Sequence, residues 1–232
     1  MKIAVERSYD RGFSDLGWLR SGFSFSFAEY LNRHKMEFGA LRVFNDDTLA
    51  PLKGFGMHPH ADMEIVTVLL KGAIAHEDSM GHKSVLSAPS VQKMSAGTGI
   101  FHSEFNAAAD EELKLFQIWI RPENKGLTPV YEQIEIKKED FCNRLLTLVS
   151  PTPKDNEIKI FQNAKISRGY WDKQTKIDYE LLVGDGVFLF VVGGIARIGE
   201  KMLFERDSVQ ITDTKQIEIE LFKDTEILII EV

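Results

Sequence analysis

The sequence predicts an all-β protein, and three observations predict it. Short runs rich in β-branched and aromatic residues recur from about residue 40 to the end: Glu64–Leu70 (EIVTVLL), Leu115–Arg121 (LFQIWIR), Val187–Val192 (VFLFVV), Ile217–Phe222 (IEIELF) and Glu226–Glu231 (EILIIE). Several alternate with period two, which suits a strand with one buried face. Glycines punctuate them at Gly72, Gly81, Gly97, Gly99, Gly184, Gly186, Gly193 and Gly194, where turns or bends are expected. Only one stretch reads as helix, Phe25–His34, with Ser24 placed to cap it. Short strands in this arrangement pack as sandwiches or small barrels.

A chain of 232 residues holds one large domain or two modest ones. A weak internal repeat favours two similar halves. Val68-Leu-Leu-Lys-Gly-Ala-Ile-Ala resembles Phe190-Val-Val-Gly-Gly-Ile-Ala-Arg, with Gly72 opposite Gly194, as if one hairpin turn were used twice. The segment from Arg121 to Tyr131 carries two prolines and a glycine and suits a connector. A boundary near residues 122–140 then gives domains of 1–134 and 135–232.

Composition excludes several function classes. The formal net charge of −7, with no basic run, argues against phosphate-driven nucleic-acid binding. No apolar stretch is long enough to span a bilayer, so no membrane partner is expected. The charged start, MKIAVERSYDRGF, lacks the apolar run of a signal peptide, and Cys142 is the only cysteine. A reducing, cytoplasmic setting is expected, without disulfides or thiolate-rich zinc sites, and Cys142 reads as structural. A monomer is the default for such a chain.

Two pairs of residues carry the chemistry. His58 with His60, and His102 with Glu104, each have an i, i+2 spacing, which on a strand aims both side chains at one face. Three imidazoles and one carboxylate suit a borderline divalent metal if the two strands are neighbours. The second pair follows a glycine-rich bend at Gly97–Gly99, as expected where a barrel strand re-enters. Glu64 shares the parity of His58 and His60 but lies roughly 13 Å beyond His60 on a straight strand. It could ligate only if the strand bends, and otherwise it would accept an N–H from a ligating histidine. His76 and His82 flank a hairpin tip and read as solvated turn residues, and Asn45-Asp46-Asp47 reads as a turn. His34 suits the end of the expected helix. Trp18, Phe23, Phe25 and Phe27 read as a core face that could also line a pocket. All six histidines precede residue 103, so a histidine metal site belongs to the first half.

These motifs resemble the cupin superfamily and, within it, the pirin family. Met57-His-Pro-His-Ala-Asp-Met-Glu-Ile-Val-Thr-Val-Leu-Leu-Lys-Gly is similar to the first cupin motif. Met94-Ser-Ala-Gly-Thr-Gly-Ile-Phe-His-Ser-Glu-Phe-Asn is similar to the second. The likeness extends over Ser24-Phe-Ser-Phe-Ala, Leu41-Arg-Val-Phe-Asn-Asp-Asp and Gly126-Leu-Thr-Pro-Val-Tyr-Glu-Gln, spanning most of residues 15–133. The length and the histidine-free second half look most like the short bacterial branch similar to quercetin 2,3-dioxygenases. The resemblance implies a bicupin of two small β-barrels whose second barrel has lost its ligands. It implies one metal held by His58, His60, His102 and Glu104, with iron(II) the first choice and manganese, cobalt, nickel, copper or zinc acceptable. It implies oxidative cleavage of a flavonol with release of carbon monoxide, Glu104 acting as general base. Trp119, Phe116 and Met94 are the expected apolar wall. The competing role known in the family is a metal-bound, redox-sensing adaptor for a protein partner. One departure, Ala61-Asp62-Met63 where many pirins carry Arg-Gly-Phe, touches no ligand position and bears on pocket shape.

Overall fold

Twenty-two strands and two short 3-10 turns make up the computed structural model, which describes residues 1–232. The first strands are β1 (Lys2–Glu6), β2 (Gly12–Asp15), β3 (Leu19–Phe23), β4 (Leu41–Leu49), β5 (Gly54–His60) and β6 (Glu64–Lys71). Then come β7 (Ala73–Asp78), β8 (Lys83–Ser87), β9 (Val91–Ser95), β10 (Ile100–Asn106), β11 (Leu113–Ile120) and β12 (Val130–Ile134). The second half holds β13 (Leu145–Ser150), β14 (Ile158–Lys159), β15 (Lys165–Trp171), β16 (Thr175–Glu180) and β17 (Gly186–Gly193). It closes with β18 (Ile195–Ile198), β19 (Lys201–Phe204), β20 (Ser208–Thr212), β21 (Gln216–Leu221) and β22 (Thr225–Glu231). All five strand-like runs read from the sequence are strands. No helix is long and apolar enough to cross a membrane.

The chain divides into two units, Gly12–Lys137 and Met1–Arg11 with Lys138–Val232. The sequence division assigned residues 1–11 to the first domain, but β1 pairs with β20 from Lys2↔Thr212 to Glu6↔Ser208. An edge strand recruited across most of the chain leaves no local trace in the sequence.

Each unit is built from a seven-stranded and a four-stranded sheet, and the strand orders correspond throughout the smaller sheets and in the middle of the larger ones. The first unit runs β12-β9-β6-β11-β4-β3-β2 and β5-β10-β7-β8; the second runs β1-β20-β17-β22-β15-β13-β14 and β16-β21-β18-β19. Gly72 and Gly194 sit at the same hairpin in the two units, with φ of 78° and 83°. A Cβ at Gly72 would lie 3.0 Å from Glu112 O, and one at Gly194 2.6 Å from Asp224 O, so both turns need the missing side chain as well as the left-handed backbone. The short repeat is therefore a repeat of structure.

The expected helix at Phe25–His34 does not form. The segment is an irregular loop in which Phe27 and Tyr30 exchange backbone hydrogen bonds and Ala28 takes φ 47°. Ser26 Oγ donates to Asn32 O and accepts from Asn32 N, both at 2.8 Å. The guanidinium of Arg42 takes the carbonyls of Ser26 and Met36. Serine and asparagine offering the backbone such alternatives compete with helix. The period-two Phe23-x-Phe25-x-Phe27 was the contrary signal. Asn45–Asp47, read as a turn, lies in the middle of β4.

Candidate metal centre

β5 and β10 are antiparallel neighbours, with His60 opposite Ile100 and His58 opposite His102. The register then slips, so that Glu104 faces Phe55. Such a bulge re-aims the residues on either side of it. Gly54 makes it sterically feasible, because a Cβ there would fall 2.2 Å from Glu104 O and 2.5 Å from Phe105 Cα. Ile100, His102, Glu104 and Asn106 are all buried, as period two requires of an inward face.

The ligand atoms of His58, His60 and His102 lie within 4.8 Å of one another. His58 Nδ1 bonds Gly56 O at 2.7 Å, which leaves Nε2 with its lone pair, and that atom stands 3.1 Å from His102 Nε2. Two imidazole nitrogens bound at right angles to one ion at about 2.1 Å would be roughly 3.0 Å apart. The donor set therefore fits a divalent ion. Burial, reinforced by the charge of neighbouring imidazoles, holds His60 down at about 4 and His102 at about 2. Both are neutral nitrogen donors at ordinary pH.

Glu104 is 3% exposed, and burial pushes its carboxyl up to about 7 against three hydrogen bonds that favour the ionised form. Gln92 Nε2 donates to Oε1 at 2.6 Å, Thr67 Oγ1 to Oε1 at 3.2 Å and Gln117 Nε2 to Oε2 at 2.9 Å. These three residues form one row across the large sheet, Gln117 opposite Thr67 and Thr67 opposite Gln92. The sequence reading missed this row. A lone polar amide inside an apolar strand, as in Phe116-Gln117-Ile118, was its only signature.

His76 was missed as well. It is 3% exposed, and its ligand atom lies within 4.8 Å of those of His102 and Glu104. Its Nε2 bonds Asp78 Oδ2 at 3.3 Å, its ring stacks on Tyr131 with centroids 4.3 Å apart, and its Nδ1 is buried without a hydrogen-bond partner. Burial pushes His76 below its usual value against the pull of Asp78. Burial would raise Asp78, but hydrogen bonds from His76, His82 and Met80 hold it below the usual carboxylate range. His82 is the half-exposed partner, with Nδ1 2.9 Å from Asp78 Oδ2. Neither histidine of the hairpin is the free turn residue expected. Sharing parity with the inward Ile74 was the signal for His76.

Glu64 does not join the site. It faces away from the lumen, because Thr67 on the same strand faces in. Its Oε2 accepts from Ser95 Oγ and pairs with Lys93 Nζ, both at 3.0 Å, and Lys93 itself is fully buried. Of the expected wall residues only Trp119 lines the pocket beside the cluster. Met94 packs with Ile65, Ala96 and Ile100, and Phe116 is buried against Phe44. Trp18, Phe23, Phe27 and Phe55 supply the other aromatic rings, and Leu16, Leu19 and Ile65 the aliphatic part, of the wall of a pocket of about 240 Å³ that reaches His58, His60, His102 and Glu104.

A profile of the Pirin family matches residues 5–120, half of the chain, and the quercetinase C-terminal cupin domain matches residues 147–232. The chain belongs to the pirin family. It is 39% identical over 229 residues to the quercetin 2,3-dioxygenase of Escherichia coli K12, covering 99% of this chain and 98% of that protein. It is 36% identical over 221 residues to a pirin-like protein of Caulobacter vibrioides, covering 95% of each. The crystal structure of the E. coli pirin YhhW in complex with nickel(II) superposes with a TM-score of 0.94 at 38% identity, covering 100% of this chain and 99% of that one. The pirin assignment also covers the second barrel. Counted from its hairpin glycine, the places of His58, His60, His102 and Glu104 are held there by Tyr179, Leu181, Ile217 and Ile219. All four belong to one buried apolar cluster.

Proposed function

We propose that this pirin is a metal-dependent dioxygenase that cleaves flavonols such as quercetin, with His58, His60, His102 and Glu104 holding one divalent ion. The observation that carries the reading is the aromatic-walled pocket opening directly onto those four residues. An adaptor that only senses redox state needs no such chamber. At about 240 Å³ the pocket lies just below the ~300–1,000 Å³ common for small-molecule sites, which favours a flat, compact ligand.

When bound, the ion would supply Lewis acidity toward adjacent ligand oxygens and a centre for oxygen chemistry. The protein's own groups do the rest. Glu104, a carboxylate held beside the ion position, is placed to take the proton of the 3-hydroxyl. Gln92, Thr67 and Gln117 keep both carboxylate oxygens in place while that proton moves. Trp119, edge-on to His60 with centroids 4.9 Å apart, and Phe27, edge-on to Trp119 at 5.4 Å, fix the plane in which a ring system can lie. In the overall reaction both atoms of dioxygen enter the product, the central ring opens to a depside, and one ring carbon leaves as carbon monoxide. Iron(II) is the proposed native ion; the same ligands accept manganese, cobalt, nickel, copper or zinc.

The test is aerobic quercetin consumption with carbon monoxide detection, on protein stripped and reloaded with each divalent metal, beside His58→Ala. Metal-dependent turnover with one carbon monoxide per quercetin, lost in the variant, is expected. Tight metal binding without turnover for any ion would overturn the reading.

A further inference from the structure

The pocket contains a polar group that the protein leaves unused. Asn45, 2% exposed, lines the pocket from β4, and its Oδ1 is buried without a hydrogen-bond partner. The contrast with Asn106 is direct. That amide donates to the carbonyls of Leu49, Ala50 and Glu111 and accepts from Ala108 N, so its role is structural. Asn45 ties no element to another. A buried amide left unmatched in a folded protein calls for an explanation, and a ligand that completes it is one.

Its position says which part of a ligand it would meet. Asn45 is opposite Gln117, and Gln117 holds Glu104. The amide therefore lies about one strand spacing, ~4.8 Å, further from Glu104 than Gln117 does. The next inward residue of β4, Asp47, is opposite Ser21, and both are buried and line the same pocket. A polar strip of Ser21, Asn45 and Asp47 thus interrupts a largely apolar wall that includes Trp18, Phe23, Phe27 and Phe55. A second unmatched atom, Trp119 Nε1, lines the pocket on the side of His60.

We infer that Asn45 recognises a hydroxyl group on the part of the ligand remote from the metal-binding residues, and so selects hydroxylated aromatic chelators over unsubstituted ones. The inference rests on the reading that an oxygen-chelating aromatic compound occupies this pocket. It goes beyond that reading by assigning a second point of recognition and the ligand feature it takes.

Calorimetric binding to nickel(II)-loaded full-length protein tests it, using 3-hydroxyflavone, quercetin and a one-ring 3-hydroxy-4-pyranone that probes the chelating end alone. The wild type should bind quercetin on the order of tenfold tighter than 3-hydroxyflavone, the worth of a well-made hydrogen bond. Asn45→Leu should bring that ratio close to one and bind the pyranone as the wild type does. Without ligand it should melt no lower than the wild type, because an unmatched amide is replaced by an apolar group of similar size. An unchanged flavonol ratio in Asn45→Leu, or a ligand-free variant that melts well below the wild type, would overturn the inference. Pyranone binding without any wild-type preference for quercetin would refute the Asn45 assignment alone. Failure of all three compounds to bind would refute the chelating reading and the inference together.

Discussion

Gln92 donates its Nε2 to Glu104 Oε1 at 2.6 Å, and with Gln117 and Thr67 it opposes the burial that lifts this carboxyl to about 7. With Glu104 as a ligand, as proposed, ion binding requires its carboxylate, whereas His60 and His102 have no proton to lose at neutral pH. Nickel(II) affinity should therefore fall by roughly tenfold per pH unit below about 7 and level off above it. Glu104→Gln should bind more weakly and lose that slope. Titrations of both proteins from pH 6 to 8 check it, and parallel slopes would sink the assignment.

The same groups set the pH dependence of the metal-free protein, with opposite signs. Glu104, raised, contributes stability that is full below its ordinary value of 4.5 and is lost as pH rises through about 7. His60 and His102, lowered, act the other way: above 6.5 they are neutral folded or unfolded, and below it the unfolded chain takes the protons first. Between pH 4.5 and 6.5 stability should rise with pH, and Glu104→Gln should make the rise steeper by about one proton. Urea melts across that window read the slope difference directly.

Gly54→Ala should damage the site without touching a ligand. The new Cβ would meet the backbone of Glu104 and Phe105, which cannot swing aside like a side-chain tip. A loss on the order of 2 kcal/mol and weaker nickel binding are expected. Gly56→Ala on the same strand is the control, since nothing lies within 4 Å of a Cβ there.

Much of this was legible in the sequence, and what was not has physical reasons. The strands announced themselves through β-branched and aromatic residues, and the residues that meet at the pocket, His58, His60, His102 and Glu104, through two i, i+2 pairs flanked by cupin-like motifs. His76 sits beside a hairpin tip, and only the pairing of β7 with β10 turns it toward His102. Gln92, Thr67 and Gln117 converge from three strands distant in sequence. Neutral polar residues are common on strands, so none marks itself as a support for Glu104. Phe25–His34 had a plausible helix cap, but its serine and asparagine satisfied the loop backbone instead.

Asp78→Ala should uncouple the hairpin from the site. Asp78 Oδ1 accepts the backbone N–H groups of Met80 and His82, and Oδ2 pairs with His76 and His82. Its removal orphans the buried His76 donor and two part-buried backbone N–H groups, for an expected cost of about 1–3 kcal/mol. His76 would lose its anchor as well. The His76–Tyr131 stack should loosen, read as a change in near-ultraviolet circular dichroism that Asp78→Asn only partly reproduces. An unaltered spectrum in Asp78→Ala would mean that Tyr131 alone positions His76.

The second barrel shows what a carboxylate at the Glu104 position requires. Its counterpart there is Ile219, and the counterparts of Gln92, Thr67 and Gln117 are Val209, Leu189 and Ile229, all fully buried. Ile219→Glu would thus place a carboxyl where the three counterpart side chains have nothing to donate. The expected cost is on the order of 3–5 kcal/mol, that of an uncompensated buried charge, and it should shrink in acid as the group is protonated. Glu104→Ile in the first barrel runs the comparison the other way. It removes a buried ionisable group, and Gln92, Thr67 and Gln117 keep the bonds they make to one another, Gln92 Nε2 to Thr67 Oγ1 at 3.5 Å and Thr67 Oγ1 to Gln117 Oε1 at 3.4 Å, so it should cost less. Denaturation of both variants at pH 5 and pH 8 checks the pair. An Ile219→Glu variant no less stable than Glu104→Ile would mean that the amide row is not what makes a buried carboxylate tolerable in this fold.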